Sequence, residues 1–200
     1  MQKWRLDFRI WHWLHALVVL GLIGTVFLRK TFLDWRINSE LLTQKLAEIN
    51  LEITVEQAKM LAKSICAPMW EWHIILGYVL SALVIWRVVL FFTYSGQRSY
   101  RDLKSESFHK LMVKLGYIGI YLVLFFMATS GLVMHFYETI GLTKELTHTI
   151  KEIHEFLFYA ISIFVPMHII GVFITENQDE KGILSLSDMV YGGNELNVYQ

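Results

Sequence analysis

The chain has 200 residues, 54% of them hydrophobic and 14% aromatic, and its mean hydropathy is +0.42. That is too apolar for an ordinary soluble domain and too well segmented for disorder. Lys plus Arg and Asp plus Glu balance at 18 each, so charge gives no case for nucleic acid, and the single Cys66 excludes an internal disulfide or a CxxC pair.

Four stretches are apolar enough to span a bilayer, 9–28, 69–93, 111–136 and 150–175, each near the roughly 20 residues that cross hydrocarbon. The first could pass for a signal peptide. It carries Trp11, His12, Trp13 and His15, however, and no small-x-small cleavage site follows, so it reads as an uncleaved helix. The long connection after it carries charges of both signs and reads as a helical hairpin. In its second half, Thr54 and Gln57 form a capping box, with Ile53 and Ala58 placed as a hydrophobic staple. Ala58, Leu61, Ala62 and Ile65 then fall on one apolar stripe. The hairpin reads as a lid on the bundle or bilayer surface, or as a docking surface for a redox partner.

The remaining connections, 94–110 and 137–149, are short, and the polar segment 176–200 carries a Gly192-Gly193 turn. The expected architecture is all-α: a transmembrane four-helix bundle with a helical hairpin in the first connection, forming one integral-membrane domain over 1–200. Lys3, Arg5 and Arg9 precede the first span, and Arg98, Arg101, Lys104 and Lys110 cluster in the second connection. The third connection has only Lys144, with Lys151 at the membrane edge. The positive-inside rule then puts both termini in the cytoplasm. The hairpin connection counts against this with Arg29, Lys30, Arg36, Lys45, Lys59 and Lys63, but long loops translocate more freely.

The chemistry lies in the histidines. His154 and His168 share the fourth span. Their spacing is about 21 Å along a helix, and fourteen steps of roughly 100° bring both rings to one face. With the topology above, His73 matches the depth of His154 near the outer surface, and His12 that of His168 near the inner one. Intramembrane histidines are costly and mark function or a partner. Tetrahedral zinc needs three or four converging ligands, whereas these converge two by two at separate depths. Two axial imidazoles per haem iron fit that pattern, and a six-coordinate iron favours electron transfer over oxygen chemistry. His15 lies about 60° from His12 on the same helix face, and spacing does not separate the two. A histidine-lined proton or ion path in a haem-free channel or transporter is the other reading. Gly77, one turn after His73, and Gly171, three residues after His168, would let a flat macrocycle approach or simply pack helices. Pro166 is placed to kink the fourth helix near His168 or to sit as a tolerated membrane proline.

The run Arg9-Ile10-Trp11-His12-Trp13-Leu14 resembles the first-helix signature of the bacterial di-haem b-type cytochromes. These comprise the cytochrome b-561 type and the membrane cytochrome b subunits of nickel-iron hydrogenases and formate dehydrogenases. In that family the histidine before Trp is an axial ligand, which favours His12 over His15. One further ligand lies on the second helix and two, 14 apart, on the last, the places of His73, His154 and His168. The resemblance implies two haem b groups, one on His12 and His168 towards the inside and one on His73 and His154 towards the outside. It also implies an outer redox protein or oxidoreductase subunit as partner, membrane quinone as exchangeable carrier, and the bacterial inner membrane as location. An electron-transfer subunit of a membrane oxidoreductase is the leading expectation. The alternative is a stand-alone oxidoreductase that moves electrons from a small outer substrate such as superoxide to quinone.

Three residues are secondary candidates. Arg87 is placed to pair with a haem propionate, or to snorkel to the interface. His109, with Lys110, opens the third span, where the pair would line a quinone pocket or form a solvated helix start. His135 and His148 read as interfacial.

Overall fold

A computed structural model describes residues 6–93 and 108–177. They form five α-helices: α1 Leu6–Lys30, α2 Trp35–Glu48, α3 Val55–Thr93, α4 Phe108–His135 and α5 Lys144–Asn177. Among the described residues there is no strand. Helices α1, α3, α4 and α5 are each long and apolar enough to cross a membrane. Little of their apolar surface is covered by protein: Leu17, Ile85, Leu122, Phe156 and Ile163 are all more than 60% exposed. In water that surface would drive aggregation, whereas hydrocarbon satisfies it and leaves helix contacts to packing and hydrogen bonds.

The helix ends follow from their residues. Asp34 caps α2 by accepting from Arg36 N at 2.8 Å. The helix stops in a Schellman closure: Leu51 N donates to Leu46 O at 2.9 Å and Asn50 N to Ala47 O at 3.0 Å. Asn50 takes the left-handed conformation this needs, φ 58°. The expected capping box is present, with Gln57 Oε1 accepting from Thr54 N at 2.8 Å and Thr54 Oγ1 from Gln57 N at 3.2 Å. The α4–α5 turn closes the same way: Leu142 N donates to Tyr137 O, and Gly141 supplies φ 71°. There Tyr137 donates to Glu138 at 2.7 Å, and that bond, then the carboxylate's charge, hold its phenol above the usual range.

Two sequence expectations are refined. The second half of the hairpin and the second span are not separate elements but one helix, α3, of 39 residues, about 58 Å long. Pro68 lies inside it and is exposed. A proline there removes one backbone donor, and the flanking turns hold the helix together. The expected stripe is buried only in part: Ala58 and Ala62 are 1% and 0% exposed, but Leu61 and Ile65 are 45% and 57% exposed. The covered line instead continues through half-buried Cys66, whose thiol donates to Leu33 O at 3.1 Å.

The chain divides into two compact units. One comprises Met1–Ala16 with Leu80–Gln200, and the other Leu17–Val79. In the first, the start of α1, the end of α3 and the whole of α4 and α5 make a four-helix bundle. Trp11 Nε1 donates to Leu83 O at 2.7 Å, tying α1 to α3 in the buried interior. Helices α4 and α5 are antiparallel: Ser130 meets His154, and Tyr117 meets His168 and Phe164. In the second unit, α2 and the start of α3 form the hairpin, joined where Lys63 Nζ lies 5.1 Å over the Trp35 ring.

Candidate haem-ligand sites

His12 and His168 come together from α1 and α5. Their ring centres are 6.3 Å apart and their planes 59° apart. A metal–imidazole bond is about 2 Å, so two imidazoles gripping one metal from opposite sides have ring centres roughly 6 Å apart. His12 Nδ1 is buried and has no hydrogen-bond partner among the described residues. Buried imidazole nitrogens are rarely left so, and an ion is one of the few things that accounts for it. The residues present therefore fit a bis-imidazole metal group. Among the described residues no three of His, Cys, Asp or Glu converge as a tetrahedral zinc site would need. The His168 ring is steadied by Phe164, stacked at 5.6 Å and 10°, and by Tyr117, edge-on at 6.0 Å. Phe164 lies one helical turn before it, on the same face.

His15, one turn beyond His12, does something else. Its ring stacks on Trp11 at 4.9 Å and 20°, beside a cavity of about 440 Å3 that it lines with Trp11, Arg87 and Tyr121.

Arg87 points into the first unit. Its guanidinium carbon lies 5.2 Å from the Phe8 ring centre, 5.5 Å from Trp11 and 5.1 Å from Tyr121. Cation–π attraction holds it there. Its Nε and Nη1 are buried without a hydrogen-bond acceptor among the described residues. A guanidinium with unmatched buried donors fits an anionic group.

His154 is half-buried on α5, and its Nδ1 lies 2.7 Å from Ser130 Oγ on α4. A Cβ at Gly131 would lie 3.8 Å from its Cε1, so the helix backbone runs alongside the ring. His73, in the second unit, is half-buried with its Nδ1 2.8 Å from Thr25 Oγ1 on α1. Its ring stacks on Trp70 at 5.0 Å and 3°, and Trp70 in turn carries Arg29 4.4 Å over its face.

A Cβ at Gly171 would meet nothing within 4 Å. His135 and His148 are exposed, with His148 Nδ1 3.6 Å from Glu152. The side chains of His109 and Lys110 lie outside the described residues, as do the second connection and the segment after 177.

Thr25, Ser130 and Phe164 were not singled out from sequence. Spacing carries a signal for Phe164, since residues four apart on a helix share a face. For the hydroxyls the signal is only that each is a polar group in an apolar span.

The sequence model of the family described as prokaryotic cytochrome b561 matches residues 3–192. No curated protein and no solved structure matches the chain significantly. The matched region takes in all four spans and every candidate ligand, and the chain therefore belongs to the prokaryotic cytochrome b561 family, membrane proteins that transfer electrons through haem b.

Proposed function

We propose that the chain works as one integral-membrane domain that carries electrons through two b haems, between a redox partner on the outer face and the membrane quinone pool. The opposed pair of His12 and His168, at a separation suited to one iron, is the observation that carries this reading. His73 and His154 take the second haem, an assignment that rests on their matched depth in the sequence and on the family's ligand pattern. The positive-inside rule supports a first haem towards the cytoplasm with both termini there, and the family resemblance supports a bacterial inner membrane.

Haem iron supplies reversible one-electron transfer, and the chain supplies the rest. Histidines from α1 and α5 fix the plane and depth of the group. Phe164 and Tyr117 hold the His168 ring and help to keep water from it. Arg87 binds a propionate with its two unmatched donors. With imidazoles from His12 and His168 holding it, the group would supply electron transfer rather than oxygen chemistry. Quinone would be met on the cytoplasmic side, near the start of α4, where His109 and Lys110 would line its pocket.

On the hairpin, Ile37, Leu41, Met60, Leu61 and Ile65 are 45–64% exposed. That apolar surface favours a protein partner over a small outer substrate such as superoxide. Purified chain should show reducible b-type bands and two haems per chain by pyridine haemochrome. A preparation without those bands overturns the reading. Steady-state reduction of a quinone by superoxide, with no protein donor added, would replace the partner hypothesis by the small-substrate one.

A further inference from the structure

The hydroxyls of Ser130 and Thr25 each have a single proton. Ser130 Oγ donates its own to Met127 O at 3.3 Å, and Thr25 Oγ1 to Leu22 O at 2.7 Å. With its proton given to its own helix, each hydroxyl oxygen is free to accept from the imidazole beside it. His154 Nδ1 lies 2.7 Å from Ser130 Oγ, and His73 Nδ1 lies 2.8 Å from Thr25 Oγ1. A neutral imidazole has one N–H, so a ring that gives its Nε2 lone pair to a metal carries the proton on Nδ1 and donates it to the hydroxyl.

We propose that Ser130 and Thr25 are positioning residues that set the tautomer and orientation of His154 and His73 and thereby lower the potential of the haem iron that each histidine holds. The inference rests on the ligand assignment given above for His73 and His154. Its physical basis is general. An acceptor on Nδ1–H pushes electron density towards Nε2, makes the imidazole a stronger donor and favours ferric over ferrous iron. The hydroxyl dipole also stabilises the extra positive charge of the ferric state in an apolar surrounding. Both effects act in one direction. The arrangement occurs twice, on different helices and with different residues, and each time the hydroxyl also reaches a carbonyl of its own turn. His12 lacks it: its Nδ1 finds no partner among the described residues. Only one of the two haems should therefore respond.

The test is potentiometric titration of the purified, haem-loaded full chain, with low-temperature EPR of the ferric state. Variants are Ser130→Ala and Thr25→Val, with Ser130→Thr and Thr25→Ser as conservative controls. In Ser130→Ala the ferric preference of one haem should fall by about tenfold, which for one electron is about +59 mV. Its EPR signal should shift while the other haem keeps its wild-type midpoint, and Ser130→Thr should return both values. Thr25→Val should move the midpoint of the haem that His73 holds in the same direction. If Ser130→Ala instead loses one haem, recovery in Ser130→Thr supports the inference and continued loss overturns it. Unmoved midpoints in a two-haem Ser130→Ala chain overturn it while leaving the ligand assignment intact. Two haems surviving His154→Ala overturn the assignment itself, and this inference with it.

Discussion

His15 stacks face to face on Trp11, with ring centres 4.9 Å apart, while His12, three residues earlier, looks across at His168. Helix α1 thus gives its two neighbouring histidines different surroundings. The consequence is measurable: His12→Ala should remove one haem per chain, and His15→Ala should leave both. Haem content by pyridine haemochrome decides. Equal losses in the two variants would mean that His15 shares the iron.

The second ligand pair separates from the first in the same assay. His154→Ala or His73→Ala should abolish one haem and leave the His12–His168 haem with its spectrum and midpoint unchanged. His168→Ala should do the reverse. Retention of both haems in His154→Ala would break the proposed pairing.

Arg87 offers a test with two readouts of opposite sign. Replacing a buried cation whose donors are unmatched by an apolar side chain of similar length costs the haem-free fold little, and can stabilise it. Arg87→Met should therefore leave the melting temperature of the haem-free chain equal or higher. In the loaded protein, loss of the cation beside a propionate should lower the midpoint of one haem, because positive charge favours the ferrous state. Unchanged midpoints for both haems would show that the guanidinium serves only its aromatic cage.

Trp11→Phe keeps the ring packing on Phe8 and His15 but deletes the bond to Leu83 O. A buried hydrogen bond of this kind contributes about 1 kcal/mol, so the variant should unfold more readily by roughly that amount in a reversible detergent titration. Full retention of stability would show that the bond exchanges freely with an alternative donor.

The four spans were legible in the sequence because hydropathy reports directly on the solvent they need. The positions of His154 and His168 were legible because helical geometry fixes how residues on one helix align. Which of His12 and His15 faces His168 was not, since only about 60° of helix rotation separates the two and the partner lies on another helix. The continuity of α3 was hidden because hydropathy marks where a span enters hydrocarbon, not where its helix begins, and the helix carries through Pro68 at the loss of one donor. Thr25 and Ser130 were hidden for another reason: each bonds back to its own turn like any intramembrane hydroxyl, and its imidazole partner lies far along the chain. The side chain of His109, proposed near the quinone, stands outside the described residues.

The turn between α4 and α5 is short and closed by its own backbone bonds. Helical pairs linked so closely assemble with little conformational search, so Ser130 can meet His154 soon after this hairpin enters the bilayer. His12, at the other end of the chain from His168, has no such shortcut. Maturation of the protein should accordingly be gated at its amino-terminal helix: the last hairpin waits ready-made, and capture of the cofactor by His12 is the step that a cell short of haem would leave unfinished.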